Sequence, residues 1–242
     1  MTEHTYKQFD IEMDEIRSEL LRMGGCVESM IVDAVRAVVN GDTDLIERIK
    51  KNEKEVNKIE VAIDDQIATI IARRQPAGID LRTLIAVTKM LTDMERSGDE
   101  AEKMAAMASR LHDGNQKFVP EVELQHMGRA VVTMLHDAMD AFARHDSVAA
   151  AAVVRIDKQV DKEWKATMRS LISYMIEDPR TISNGIDLIF VARSLERIGD
   201  HAKNMAERVI FMVHGTDVRH QGVKAAERIV QEAVAKGASS AE

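Results

Sequence analysis

The sequence predicts an all-α fold of two tandem, pseudo-symmetric three-helix bundles, built from long antiparallel helices in the manner of spectrin repeats. Three observations carry this. The pentapeptide Glu95-Arg96-Ser97-Gly98-Asp99 returns as Glu196-Arg197-Ile198-Gly199-Asp200, a shift of 101 residues that also aligns Ala101 with Ala202, Met104 with Met205 and Ala105 with Ala206. The composition suits helices, with 45% hydrophobic and 31% charged residues but only 3 Pro and 3% aromatics in 242 residues. Apolar residues recur in steps of three and four over long stretches, and almost no sheet is expected.

In the first helix Phe9, Met13, Ile16, Leu20, Met23, Val27, Met30, Ala34 and Ala37 form a heptad stripe. Gly24 and Gly25 interrupt it, at up to about 1 kcal/mol each relative to Ala, a cost that close approach of a neighbouring helix would explain. Asn40-Gly41 is a C-terminal stop. Asp44 and Glu47 have capping-box spacing, with Thr43 as a rival cap, and open a second helix running to about Gln75. Leu45, Ile49, Val56, Ile59, Ile63 and Ile70 supply its apolar face. Pro76-Ala77-Gly78 breaks it, and Asp80 caps a third helix that fades near His112-Asp113-Gly114.

A Gly/Asn/Pro connection at 113–120 leads to a retracing of this order. A helix from about Glu121 to Arg144 carries Met127, Val131, Met134, Ala138 and Phe142. Asp146 caps the next helix, through Tyr174, and Asp178-Pro179 opens the helix of the second pentapeptide. After Gly215 a short helical pattern spans about Lys224 to Val234 and ends in small polar residues expected to fray. The organisation is thus 1–115 for the first bundle, 116–214 for the second and 215–242 for a tail.

Beneath the pentapeptides, Val87, Leu91, Met94, Gly98, Ala101, Ala105 and Ala108 follow a heptad, and the shift converts them to Leu188, Ala192, Leu195, Gly199, Ala202, Ala206 and Val209. Both sets are apolar with a small-residue half, a packing pattern that needs no functional cause. The methionines fall largely on such stripes and read as core.

The formal net charge of −8, without a block of Lys and Arg, argues against nucleic acid as partner. The single cysteine, Cys26, permits no internal disulfide. No leader-like segment and no apolar run of roughly 20 residues occurs, so the expectation is a soluble, cytoplasmic protein without membrane insertion.

Like charges at i and i+4 cost a helix roughly 0.2–0.5 kcal/mol, yet Glu95/Asp99 and Glu196/Asp200 keep that spacing in both halves. Each lies one residue past a core position and so flanks the buried stripe. The preceding helices carry Glu53, Asn57 and Glu60 in one half and Asp157 and Asp161 in the other. Counted back from the hairpin turns, Asn57 is level with Asp99 and Glu60 with Glu95, while Asp161 is level with Glu196 and Asp157 with Asp200. Oxygen-only sets of this kind suit Mg, Mn or Fe ions, with Zn less favoured. Spacing alone equally supports boundary acids paired with Arg96, Arg197, Lys103 and Lys203. Glu123 and His126 match the Glu-x-x-His element of di-iron bundles, but the other half has no counterpart and chance spacing is the better reading. His201, about 100° round the helix from Asp200, is expected to be a surface imidazole. No Gly-rich phosphate loop, nucleophile–base pair or Cys-based zinc spacing is present.

At the run Glu196-Arg197-Ile198-Gly199-Asp200-His201-Ala202 the chain resembles the PhoU family of bacterial phosphate-uptake regulators. The likeness extends to Leu21-Arg22-Met23-Gly24, to 76–82 (Pro-Ala-Gly-Ile-Asp-Leu-Arg), to Asp157-Lys158-Gln159-Val160-Asp161 and to Asp217-Val218-Arg219-His220. It implies two three-helix bundles, often dimeric, with no catalytic activity. It also implies a cytosolic negative regulator linking the ATPase of a phosphate ABC transporter to a phosphate-sensing histidine kinase, repressing phosphate-starvation genes and restraining uptake. Family metal sites, Glu or Asp followed four residues later by Asp, map onto Glu95, Asp99, Asp157, Asp161, Glu196 and Asp200. Asn57 departs from that pattern, and residues from Gln221 onward resemble a variable extension. The rival readings are a carboxylate-bridged metal enzyme on a helix bundle, against which the missing second Glu-x-x-His counts, and a plain helical scaffold.

Overall fold

The computed structural model describes residues 2–112, 121–219 and 221–239, and every regular element among them is helical. The helices are α1 (Thr2–Asn40), α2 (Thr43–Arg74), α3 (Gly78–His112), α4 (Glu121–Arg144), α5 (Ser147–Glu177), α6 (Ile182–His214) and α7 (Val223–Ser239), with a 3₁₀ turn at Pro179–Thr181. α1, α2 and α3 pack on one another, as do α4, α5 and α6; α3 lies along α6, α1 touches α4, and α7 rests on α5 and α6. The connection expected at 113–120, the boundary drawn at 115, His220 and the extreme C-terminus fall outside the described residues.

The heptad residues are the core. Ile16, Leu20, Met23, Val27, Met30, Ala34 and Ala37 of α1 are buried, and so are both stripes under the pentapeptides. Phe9 and Met13 are only partly covered. One apolar cluster runs through both bundles, so folding buries a single continuous interior.

The helix ends correct two expectations. The cap of α2 is Asp42, whose side chain accepts from Asp44 N–H at 3.0 Å. Asp44 is instead a first-turn acid, while Glu47 pairs with Lys50. α3 starts at Gly78, which places Asp80 in its first turn, where a carboxylate meets the positive end of the helix dipole. Asp146 and Asp178 do cap, accepting from Val148 and Ala149 and from Arg180 respectively. α5 continues to Glu177 and α7 to Ser239, further than the sequence pattern reaches. At the end of α1, Gly41 has φ +72° and any Cβ there would sit 2.6 Å from His112 Nδ1, while His112 Nε2 lies 2.8 Å from Val38 O. Glycine is therefore needed twice over, for its backbone conformation and for the ring pressed against it.

Candidate functional site

Two sets of carboxylates lie in equivalent places, one between α2 and α3 and one between α5 and α6. In the first, Glu53, Asn57 and Glu60 project from α2 and Glu95 and Asp99 from α3, all half-buried. The pKa of Glu60 is raised by burial and then by Glu95, Asp64 and Asp99. That of Glu95 is raised by burial and Asp99, with Arg96 and Lys103 opposing and Glu53 adding. The acids of the two helices thus stand in each other's fields. Asn57 Nδ2 donates to Glu53 Oε1. Its own Oδ1 is buried without a partner.

The second set is more enclosed. Asp157 and Glu196 are buried and Asp161 and Asp200 half-buried. The pKa of Glu196 is raised by burial and Asp200, then by Asp161 ahead of Asp157, with Arg193 opposing. That of Asp200 is raised by burial, then by Asp157 ahead of Asp161, with Lys203 and His201 opposing. This ordering is what the levels counted along the hairpin anticipate, Asp161 beside Glu196 and Asp157 beside Asp200. Lys203 Nζ binds Asp157 Oδ2 at 2.8 Å, and Arg193 binds Glu196 Oε1 at 2.6 Å while packing 5.9 Å from the Trp164 ring centre. Glu196 Oε2 is buried with no partner.

Each set therefore contains a buried oxygen acceptor with nothing to accept from, which is the kind of donor atom a hard cation takes. Among the described residues, however, no three His, Cys, Asp or Glu side chains are drawn together tightly enough to hold a metal ion as they stand.

The cations expected to neutralise these acids are distributed differently. Lys203 is on Asp157, but Arg197 and Lys103 both reach Glu100, at 2.7 and 2.9 Å. Glu100 also accepts from Ser194 Oγ at 2.8 Å. His201 is not a surface imidazole: it is 8% exposed, with Nδ1 at 3.0 Å from Asp93 Oδ1, and Asn204 donates to the same oxygen at 3.3 Å. Asp93, Glu100, Ser194 and His201 form a buried polar seam between α3 and α6 that sequence reasoning missed. Its signal is a seven-residue repeat under the apolar stripe, Asp93 with Glu100 and Ser194 with His201. His126 sits on the exposed flank of α4, 3.0 Å from Glu163 of α5, a single exposed pair that matches no second histidine motif.

Comparison with known proteins places both halves. A PhoU domain profile matches residues 20–108 and 124–209. A phosphate-specific transport system accessory protein PhoU homolog from Pseudomonas putida is 46% identical over 93% of this chain and 88% of its own length. The phosphate-specific transport system accessory protein PhoU of Escherichia coli (strain K12) is 42% identical over 92% of each. The crystal structure of PhoU from Pseudomonas aeruginosa superposes with TM-score 0.83 at 45% identity, covering 86% of this chain and all 100% of that one. The phosphate transport system regulatory protein PhoU from Streptococcus pneumoniae superposes with TM-score 0.80 at 28% identity, covering 87% and 99%.

Proposed function

The chain belongs to the PhoU family, and from that premise we propose that it is an accessory regulator of phosphate transport. In this reading it is a non-enzymatic, cytosolic, homodimeric adaptor. It couples the ATPase subunit of a phosphate ABC transporter to a phosphate-sensing histidine kinase, represses phosphate-starvation genes when phosphate is plentiful and restrains uptake. The observation that carries the reading is the match of one PhoU domain to each bundle, in a chain that aligns over nearly its whole length with proteins named as accessory to phosphate transport. Signalling is then a shift between partner-bound states, which requires that a partner bind the alternatives with different affinity.

Within this reading the two carboxylate sets are metal sites. Glu53, Asn57, Glu60, Glu95 and Asp99 would hold one ion, and Asp157, Asp161, Glu196 and Asp200 another. The support is the unpartnered oxygens of Asn57 and Glu196, together with mutual repulsion that a cation would relieve. The all-oxygen donors favour Mg, Mn or Fe over Zn. A bound ion supplies charge neutralisation and ties α2 to α3 or α5 to α6.

The test is a strain lacking the gene, carrying a phosphate-starvation reporter, with co-purification of the transporter ATPase and the kinase on the tagged protein. Derepression at high phosphate, reversed by the gene, and capture of both partners are expected. Normal repression in its absence refutes the regulatory reading.

A further inference from the structure

Outside the acid sets, the most pronounced surface feature runs along α5. Arg155, Lys158, Lys162, Lys165 and Arg169 follow one another at three- and four-residue steps and share one exposed ridge of the helix. Arg155 meets Glu227 of α7 at 3.6 Å. Lys158, Lys162, Lys165 and Arg169 have no ion pair or hydrogen bond among the described residues. The same spacing continues into Ile172 and Ile176, which are 41% and 76% exposed at the end of the hairpin. Across the turn Ile182, Ile186 and Phe190 form a second exposed stripe on α6.

The ridge is longer than its counterpart in the first bundle. Gly98 faces Val56 as Gly199 faces Val160, so α2 and α5 correspond at a shift of 104 residues: Lys51, Lys54 and Lys58 stand where Arg155, Lys158 and Lys162 do, but Val61 and Asp65 replace Lys165 and Arg169. A chain of net charge −8 thus gathers unpaired cations on one helix face leading to an apolar tip.

We infer that the α5 ridge and the α5–α6 tip form a docking face for an anionic membrane surface, an interaction beyond the regulatory reading above. The apolar side chains stand on the convex end of a hairpin. A protein partner would need a cleft for each of them, whereas the boundary between headgroups and acyl chains accepts convex apolar groups without a preformed pocket. Three of the four unpaired cations are Lys, mobile point charges that suit diffuse headgroup charge, while planar carboxylate recognition favours Arg. No described helix is long and apolar enough to cross a membrane, so the contact is peripheral. Of the neighbouring acids, Glu163 faces His126 and Asp178 is held by Arg180; Asp161, half-buried at three residues from Lys158 and four from Lys165, and Glu177 at the tip oppose docking.

Sedimentation of the full chain with vesicles of phosphatidylcholine, alone or doped with phosphatidylglycerol, tests the inference. Binding is expected to the anionic vesicles only and to fade at ~0.5 M salt. K162Q/R169Q should reduce it on the order of twentyfold, each basic side chain near such a surface being worth roughly fivefold. I176S should weaken it and Glu177→Lys strengthen it, with thermal unfolding unchanged in all three. Absence of binding, equal binding to neutral vesicles, or undiminished binding by K162Q/R169Q overturns the proposal. If the wild type ignores vesicles but K162Q/R169Q loses retention on a polyglutamate matrix, the ridge is a face for an acidic protein and the lipid assignment falls.

Discussion

His201 Nδ1 lies 3.0 Å from Asp93 Oδ1 and ties α6 to α3 across the seam between the bundles. The 101-residue shift carries Asp93 onto Ser194 and Glu100 onto His201, so this pair and the Glu100–Ser194 hydrogen bond of 2.8 Å are pseudo-symmetric counterparts. Buried polar groups are costly when unpaired, so the two crossed pairs fix the register of one helix on the other. Sliding α6 by a turn would take from both acids their partners on that helix, leaving Glu100 only Lys103.

Asp93→Ala should therefore destabilise the chain by about 2 kcal/mol, read as a lower urea midpoint with the slope unchanged. It removes the acceptor shared by His201 and Asn204, and His201 Nε2 already lacks a partner. Asp93→Asn keeps an acceptor oxygen and should retain most of the stability. Equal losses for the two variants would count against the hydrogen-bond account.

Acidification from neutrality should draw a stabilising contribution from the carboxylate sets, opposed by His145 and His214, whose pKa values burial lowers below 6.5. Burial, followed by neighbouring carboxylates, raises Glu60, Glu95 and Glu196 above 4.5 and Asp200 above 3.8. A group that binds its proton more tightly when folded contributes stability that is fully present below its unfolded value and lost as pH rises through the folded one. Asp217 behaves oppositely. Arg219 holds it at about 2, so its contribution disappears only as pH falls below 3.8. In urea unfolding at pH 7 and at about pH 5, Asp200→Asn should gain less from acidification than the wild type. An unchanged pH profile in that variant would remove the carboxylate set as its source.

Adding Mn²⁺ or Fe²⁺ should raise the melting temperature, by an amount equivalent to about 2.7 kcal/mol when the ion is present at 100 times its dissociation constant. Glu196→Gln/Asp200→Asn should abolish binding at the second set, and metal analysis of the washed protein should register the loss. Because ions and protons compete for the same oxygens, affinity should weaken as pH falls. If wild type and variant carry the same negligible metal, the acids are solely electrostatic neighbours.

Much of this architecture was legible because one physical signal, apolar residues at three- and four-residue steps, sets both helix position and buried face. The acids at Glu95, Asp99, Glu196 and Asp200 were legible through the same period, being one residue past core positions that the structure buries. The seam was not legible. His201 is one step from Asp200 and is polar, and nothing in a single helix's periodicity reveals that another bundle covers that flank. Capping at α2 was misplaced by two residues because Asp42, Thr43 and Asp44 all carry capping oxygens, and only backbone geometry selects Asp42. The pairing of Arg197 with Glu100 was hidden for the same reason as the seam, since it depends on which helices adjoin, whereas Lys103 and Glu100 are i,i+3 neighbours within α3.

The glycines offer a last separation of packing from pattern. Gly24 and Gly25 both interrupt the α1 stripe, but a Cβ on Gly24 would meet Met139 Cγ at 3.3 Å, whereas one on Gly25 meets nothing within 4 Å. Close packing thus explains Gly24 and leaves Gly25 without a steric reason. Gly25→Ala should stabilise the protein by up to about 1 kcal/mol, the helix-propensity difference. Gly128→Ala on α4 should do the reverse. Its Cβ would lie 2.7 Å from Val35 Cγ2, and a β-branched side chain on a helix has almost no alternative rotamer to retreat into. A net loss of about 1–3 kcal/mol is expected from such overpacking. Trimming the obstacle in Gly128→Ala/Val35→Ala should recover part of that loss relative to the sum of the single variants. Strict additivity in a urea-unfolding double-mutant cycle would mean that α1 and α4 do not touch at this point.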